Sequence, residues 1–570
     1  MRSMDSKALR QFLNSKQNWI ALVSLLPLGI WIYSRVWMVN PAILGDEYLY
    51  SMNSRKAAPW ETSPAGDFSN YLFNFIYQST NLCGNSFYGC AKILNIFFYL
   101  GFVLTLFIIA RRFLPFWVSY GFMLAAALSP LSVYTSMFLP ESLYIFSIGL
   151  LLVVVLRAIN EFTWKNWAVV GLFIGLASLI KPHAWLSAIA IGLTLSIVGL
   201  GNKKIGFKQT TLSASALVLG AAISRVVLGF MVAGPKALGF FGQYISLNTV
   251  AEVVSGPTSS QGGPVTSTSP MNGVFALFAP QMNIHALTVS ALMAISIVSV
   301  VSAVIEIFKT KTLTQTTAIA LFALVWLASL VIEIVIFTGW VTGSGDDHTT
   351  RVLLRYYEFL FVIVPLAGLA SAWAGLKTKA FTRWLLAGIA VFLITPAFSG
   401  FFATLTIQIA DAPTLAGLVV NFDLFNAIAI SSVLALLIYA TFPRFTAYAI
   451  LLTLPLSLIG VGWQIQDQYQ GFRGSENAAD RAGKYLANNL SRDELADTLI
   501  LANTRFDATL AALWADERET DFELHVPATQ LNIDSYVAGY SFVAVVGDIK
   551  FVNTKPSFTG EGFEFYELKK

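Results

Sequence analysis

The sequence predicts a polytopic α-helical membrane protein: about thirteen transmembrane helices followed by an extracytoplasmic α/β domain at the C-terminus. Three observations predict it. Of the 570 residues, 56% are hydrophobic and only 12% charged, against about 25% charged in an ordinary soluble domain. The excess is gathered into long apolar runs. After about residue 464 hydrophobic density drops and charge rises, dividing the chain into a membrane part, 1–463, and a polar part, 464–570. The formal charge of +4 is small. No basic tract interleaved with aromatics points to nucleic acid.

Taken in order, the candidate spans lie near 19–38, 91–110, 116–134, 142–158, 165–180, 184–200, 210–231, 284–307, 315–338, 353–373, 384–401, 424–441 and 445–463. Met1 to Asn18 carries four basic residues and no small-residue cleavage site, so the first span is expected to be retained rather than removed as a signal peptide. With the N-terminus inside, the cytoplasmic segments hold Arg111, Arg112, Arg157, Lys165, Lys203, Lys204, Lys208, Lys309, Lys311, Lys377, Lys379, Arg383 and Arg444. The opposite loops hold few basic residues, as the positive-inside bias requires. The odd count then places the C-terminus outside. In that frame only Asp5 and Glu161 lie in cytoplasmic segments before the last span. Asp46, Glu47, Glu61, Asp67, Glu141, Glu252, Asp346, Asp347, Asp411 and Asp423 fall outside. The site is expected at the outer membrane–water boundary.

The first outer loop, about 39–90, is long for a connector, and loops of that length are usually functional or disordered. It opens with Asn40-Pro41-Ala42-Ile43-Leu44-Gly45-Asp46-Glu47-Tyr48. Helical neighbours point about 100° apart, so Asp46 and Glu47 cannot face one target together. One can face a reaction centre while the other caps or pairs locally; the plainer alternative is a solvated loop whose Asp46 starts a surface helix. Ser69 to Gln78 reads as an aromatic-rich amphipathic helix in the interface, shaping a groove for lipid or serving as a belt anchor. The only two cysteines, Cys83 and Cys90, flank a short turn. In an oxidising compartment they are expected to form a loop-closing disulfide; two free thiols are the alternative.

Glu141 begins the fourth span after Pro140, where a carboxylate also complements the helix dipole. Lys181, at the end of the fifth span and against the positive-inside trend, suits a phosphate clamp; snorkelling to headgroups is the alternative. His183 beside it has the chemistry of an acid, a base or a ligand, and equally of an interfacial ring. The stretch 232–283 centres on a low-complexity run, 256–267, that reads as a mobile lid or as slack. Arg225, an expensive charge within a span, should face the protein interior. Glu306 has Lys309 and Lys311 near it, whereas Glu333 needs a partner the sequence does not identify.

The fifth outer loop runs Gly343-Ser344-Gly345-Asp346-Asp347-His348-Thr349-Thr350-Arg351, then Leu354-Arg355-Tyr356-Tyr357-Glu358. Arg351 and Arg355 are expected to share a helix face at the outer end of the tenth span, where their forks match phosphate oxygens. An intrahelical Arg355–Glu358 pair is the alternative. Asp346, Asp347 and His348 have the side chains for a divalent metal ion, but a Gly-Ser-Gly loop is equally a hinge. Beyond 464, helices near 475–490 and 507–514 and strands near 498–503, 541–547 and 563–567 describe a compact α/β domain without a glycine-rich nucleotide loop.

Together the cytoplasmic N-terminus, Gly45-Asp46-Glu47 in a long first outer loop, Glu141 in the second, Ile180-Lys181-Pro182 in the third, Arg351 to Tyr356 in a late loop and the terminal α/β domain resemble the GT-C membrane glycosyltransferases. The similarity is to the branch that uses polyprenyl-phosphate sugars and includes protein mannosyltransferases, aminoarabinose transferases and rhizobial lipopolysaccharide transferases. The resemblance implies a GT-C-like fold and an inverting transfer of a sugar from a polyprenyl-phosphate donor to a glycan, lipid or protein acceptor of a bacterial cell envelope. It implies Asp46 as catalytic base, with Glu47 second. Lys181, Arg351 and Arg355 would hold the donor phosphate, while Glu141, His183 and Tyr356 would contact acceptor or sugar. No nucleotide cofactor is implied, and a divalent metal remains an open alternative. Two other classes compete: a secondary transporter, against which stand the absence of an internal repeat and of paired broken helices, and a lipid-carrier-dependent polymerase or ligase.

Overall fold

The computed structural model describes residues 16–42, 44–56, 69–201, 205–238, 270–310, 313–343, 350–375, 378–517 and 519–568. Asp5, Glu61, Asp67, Lys203, Lys204, Glu252, the 256–267 run, Lys311, Asp346, Asp347, His348 and Lys377 lie outside the described residues.

Ten of the described helices are long and apolar enough to cross a membrane. A bent pair, Phe116–Ala127 with Pro130–Ser136, makes an eleventh. Shorter apolar helices at Trp164–Ile180 and Leu360–Trp373 occupy the two remaining segments that the sequence marks. The helical bundle comprises α1 (Lys16–Val36), the short α2 (Leu44–Arg55) and α3 (Tyr71–Tyr77), then α4 (Phe87–Ala110), α5 (Phe116–Ala127), α6 (Glu141–Asn160), α7 (Trp164–Ile180), α8 (Ala184–Gly201) and α9 (Gly206–Ala233). It continues with α10 (Pro270–Thr310), α11 (Gln315–Gly343), α12 (Leu360–Trp373), α13 (Ala380–Phe398), α14 (Pro413–Val419), α15 (Phe422–Thr441), α16 (Thr446–Leu454) and α17 (Val461–Arg473).

Inside a membrane, helices associate through close packing rather than through a hydrophobic driving force. The α7–α9 pair shows how. A Cβ on Gly171 would sit 2.1 Å from the Leu217 carbonyl oxygen, one on Gly175 2.5 Å from that of Ala221, and one on Gly220 2.4 Å from that of Ala168. Gly171 and Gly175 are four apart on one face, so the backbones touch directly. That contact fixes the end of α7, where Lys181 follows.

The last helical stretch does not stop near 463. A π-helical turn, Pro455–Gly460, leads into α17, which runs on to Arg473. The terminal domain then holds α18 (Ala478–Asn489), α19 (Arg492–Ala496), β1 (Thr498–Ala502), α20 (Arg505–Ala515), β2 (Asp521–Leu524), β3 (Thr529–Leu531), α21 (Asp534–Val537), β4 (Phe542–Val546), β5 (Ile549–Phe551), β6 (Phe558–Gly560) and β7 (Phe563–Glu567). Its main sheet has the order β2-β1-β4-β7-β6. β1 pairs parallel with β2 and β4, whereas β7 is antiparallel to β4 and β6. The interior strand β1 is buried throughout, as a strand covered on both faces must be. Helices α18 and α20 continue the bundle's own core. Arg473 donates to both oxygens of Asp480 at 2.9 Å, and Trp514 lies 5.9 Å from Phe87 and 5.6 Å from Tyr88.

Candidate active site

The short helix α2 carries Asp46 and Glu47 and is pinned at both ends. Ahead of it, Arg473 Nε donates to the Pro41 carbonyl at 2.6 Å and Asn40 N–H to the Arg473 carbonyl at 2.8 Å. At its far end Arg55 makes a two-pronged salt bridge with Asp516, the left-handed C-cap of α20, and Lys56 adds a 3.0 Å contact.

The two neighbouring carboxylates have different fates. Glu47 is fully buried. It accepts hydrogen bonds from Ala42 N–H (2.9 Å), Tyr88 Oη–H (2.6 Å) and Phe138 N–H (2.8 Å), joining the loop ahead of α2, the start of α4 and the segment before α6. Those donors occupy both of its oxygens. Asp46, one residue earlier and 100° round, is 34% exposed, and its Oδ2 accepts from Arg355 Nη1 at 2.9 Å.

Arg351 and Arg355 do not share an α-helix, which corrects the expectation of a common helix face: Arg351 lies in an isolated bridge and Arg355 in a single 3-10 turn, Leu354–Tyr356. Thr406 N–H donates to the Thr350 carbonyl at 3.0 Å, Arg351 bridges Thr406, and Arg355 N–H donates to the Asp411 carbonyl at 2.7 Å. The backbone groups that a helix would need are thus spent on a neighbouring strand-like segment, and α12 starts only at Leu360. The arginines still converge, but on Asp411. Arg351 Nε and Nη2 lie 2.7 and 2.6 Å from Asp411 Oδ2, and Arg355 Nε lies 3.5 Å from Oδ1. Asp411 is 2% exposed and Arg351 29%. Glu358 does not pair with Arg355. It is buried, accepting from Tyr134 Oη–H at 2.8 Å and Thr414 N–H at 2.6 Å, and burial lifts its carboxyl to about 7.

Below this layer Lys181 Nζ donates to Glu141 Oε1 at 2.8 Å, both side chains almost wholly buried. Glu141 Oε2 receives no hydrogen bond among the described residues. The ammonium stands 5.1 Å from the ring of Tyr356 and 5.6 Å from that of Tyr144. Burial pushes the Lys181 ammonium down, the Glu141 carboxylate pulls it back up, and the charge of Arg355 adds to the fall. For Arg355 burial also works against the charge, but the carboxylates of Asp46, Asp411 and Glu141 overcome it and keep the guanidinium charged. The His183 ring packs 4.4 Å from Tyr356 and 5.9 Å from Phe337. Burial, with the charges of Lys181 and Arg355, drives it down to about 3, so it stands neutral.

The structure therefore gathers Asp46, Arg355, Arg351, Lys181, Glu141, His183 and Tyr356 at the end of the bundle that bears the terminal domain, and gives Glu47 to the scaffold. Two residues escape a sequence reading of the site: Asp411 and Glu358. Lys92 Nζ donates to the carbonyls of Val36 (2.9 Å), Trp37 (3.0 Å) and Val39 (2.6 Å), satisfying the end of α1. Two arginines four residues apart at one boundary, with acidic residues in the next loop, are the signal that points to Asp411. Arg225 is buried as expected, its Nη1 donating to the Ser178 carbonyl at 2.8 Å near the end of α7. The Cys83–Cys90 disulfide is formed. Among the described residues no cluster of His, Cys, Asp and Glu has the make-up to hold a metal ion.

No protein-family model matches the sequence, and no curated protein matches it. Among solved structures the fold is similar to that of ArnT from Cupriavidus metallidurans bound to undecaprenyl phosphate, at 12% identity and a TM-score of 0.46, covering 94% of each chain. It is also similar to the archaeal oligosaccharyltransferase AglB from Archaeoglobus fulgidus in complex with an inhibitory peptide and a dolichol-phosphate, at 10% identity and a TM-score of 0.47, covering 93% of this chain and 69% of that one. Both likenesses are of overall fold.

Proposed function

We propose that this chain is an inverting glycosyltransferase that moves a sugar from a polyprenyl-phosphate donor to a hydroxyl of a cell-envelope glycan, lipid or protein acceptor. The reaction would take place on the outer face of a bacterial plasma membrane, with the N-terminus cytoplasmic and the terminal domain outside. One observation carries the reading. A part-exposed carboxylate, Asp46, lies within hydrogen-bond reach of a charged arginine that is itself set in a nest of buried charge. Arg355 holds Asp46 Oδ2, leaving Oδ1 to meet an acceptor hydroxyl.

In the proposed step the acceptor oxygen forms a bond to the anomeric carbon as the bond from that carbon to the phosphate oxygen breaks. The hydroxyl proton passes to Asp46, and the lipid phosphate leaves with the bonding pair. The developing phosphate charge meets Arg355 and the exposed edge of Arg351, both already oriented by Asp411. Lys181 and Glu141 lie beneath as a fixed pair that sets the field, and Tyr356 with neutral His183 forms an aromatic wall suited to a sugar face. No step here needs a nucleotide.

The test is sugar transfer by purified protein from a panel of polyprenyl-phosphate sugars, with wild type beside Asp46→Asn. A folded variant that binds donor but transfers about 10²–10⁴ times more slowly supports Asp46 as base. Full activity in the variant moves the role to Glu141. A wild type that consumes no lipid-linked sugar returns the transporter reading to the front.

A further inference from the structure

The exposed flank of the bundle carries a second feature that the proposed chemistry does not use. Helix α1 is loosely held, with only 17% of its apolar window buried. Pro27 interrupts its hydrogen-bond ladder, and the partner that runs alongside is broken in turn by the π-helical turn Pro455–Gly460. Between them, and against α5, lies an apolar groove of about 420 Å³ lined by Pro27, Leu28, Trp31, Leu124, Ile459 and Trp463 among others. Trp31 and Trp463 close one end, their ring centroids 6.0 Å apart.

A charged pair sits directly beyond that end, towards the terminal domain. Arg35 lies over the Trp463 ring at 4.7 Å and makes a salt bridge with Asp467. Its Nε donates to Gln466 Oε1 at 3.4 Å. Asp467 is 47% exposed. Arg35 Nη1 and Asp467 Oδ2 have no protein partner among the described residues. The flank thus presents an apolar trough one turn below a free guanidinium edge and a free carboxylate oxygen, side by side.

An apolar trough facing lipid attracts nothing in particular, because lipid tails are as apolar as the groove. Selection has to come from the polar end. A guanidinium edge matches phosphate oxygens, and a carboxylate beside it matches a primary ammonium. A zwitterionic ethanolamine headgroup offers both at the right polarity. A phosphoglycerol headgroup offers the phosphate but brings no cation to Asp467, and a choline ammonium has no N–H to donate. We propose that this groove binds one ethanolamine phospholipid of the surrounding bilayer, an acyl chain in the trough, its phosphate on Arg35 and its ammonium on Asp467. The site lies apart from the Asp46 cluster and does not depend on the transferase reading.

The test reconstitutes the full chain in bilayers of mixed ethanolamine and glycerol phospholipids and counts retained lipids by native mass spectrometry. Wild type should keep one ethanolamine lipid, enriched several-fold over its share of the bilayer. Leu124→Trp, which fills the trough and leaves the ion pair untouched, should lose it with the melting temperature unchanged. Asp467→Asn should keep a lipid but lose the preference for ethanolamine. Retained lipid that mirrors the bilayer composition in wild type, or enrichment of the glycerol headgroup, overturns the proposal. So does undiminished retention in Leu124→Trp.

Discussion

Two clusters of buried charge sit at the same end of the bundle, and they are finished to different degrees. Around Arg473 the buried carboxylate is fully matched. Asp480 accepts two bonds from Arg473 Nη2, one from Asn477 N–H at 2.9 Å and one from Trp514 Nε1 at 2.7 Å, while Arg473 Nε takes the Pro41 carbonyl. Around Arg355 the matching stops short. Glu141 Oε2 has no donor among the described residues, Asp46 stands a third exposed, and Asp411 serves two arginines at once. A saturated buried network fixes geometry, and breaking it leaves a bare charge. An unsaturated one holds bonding capacity for something that is not part of the chain. The first cluster clamps the terminal domain to α2, and the second is where a ligand has work to do.

Substitutions should separate the two. The largest effect on turnover is expected from Asp46→Asn, a fall of about 10²–10⁴ in transfer rate with thermal unfolding unchanged. Asp480→Asn should show the reverse. It leaves Arg473 buried without its counter-charge, at a cost of about 3–5 kcal/mol, read as a lower unfolding temperature with transfer per folded molecule preserved. A stability loss in Asp46→Asn matching that in Asp480→Asn would remove the distinction.

The membrane architecture was legible because apolar runs and basic loops are written locally: each expected span contains an apolar helix, including the bent pair at Phe116–Ala127 and Pro130–Ser136. Charges at span ends such as Asp46, Glu141, Lys181 and Arg355 stood out for the same reason, being costly where they are. What stayed hidden was pairing across the sequence. Asp411 lies sixty residues from Arg351, and nothing local ties them. The apolar Val352-Leu353-Leu354 suggested that a helix was under way, yet bonds to the 406 and 411 backbone captured that segment. Glu47, the second choice for the base, is given to the scaffold only by its three donors, two of which, Tyr88 and Phe138, lie on segments distant in sequence. In the terminal domain β1 and β4 are legible as apolar runs and β7, Phe-Glu-Phe-Tyr-Glu, as an aromatic-rich strand, whereas β2, Asp-Phe-Glu-Leu at the sheet edge, is short and has a single aromatic to mark it.

Glu358 sharpens the comparison, since it is buried yet satisfied. Its carboxyl titrates at about 7 in the folded state against 4.5 as the reference value. Between those values the folded chain holds a proton that the unfolded chain has lost, so stability falls as pH rises from about 4.5 through about 7. The shift corresponds to roughly 3 kcal/mol. Glu358→Gln, which keeps an acceptor for Thr414 N–H and turns an amide N–H towards the Tyr134 hydroxyl oxygen, should flatten that slope in unfolding measured across the window. An unchanged slope would mean that other groups set it.

The smallest effect is expected at the disulfide. Cys83 and Cys90 are seven residues apart, and closing so short a loop restrains the unfolded chain by only about 2 kcal/mol in the chain-entropy account. The loop and the residues just ahead of it also touch the clamp directly: Asn81 Nδ2 donates to the Arg55 carbonyl and, within the loop, Asn85 Nδ2 to Asn488 Oδ1, each at 3.0 Å. Those bonds do not depend on the sulfurs. Cys83→Ala with Cys90→Ala should therefore lower the unfolding temperature modestly and leave transfer per folded molecule as it was, which is how a part of the clamp behaves. A loss of transfer at unchanged stability would place the loop with the working cluster instead, because only a segment that shapes the ligand's space alters turnover without altering how firmly the domain is held.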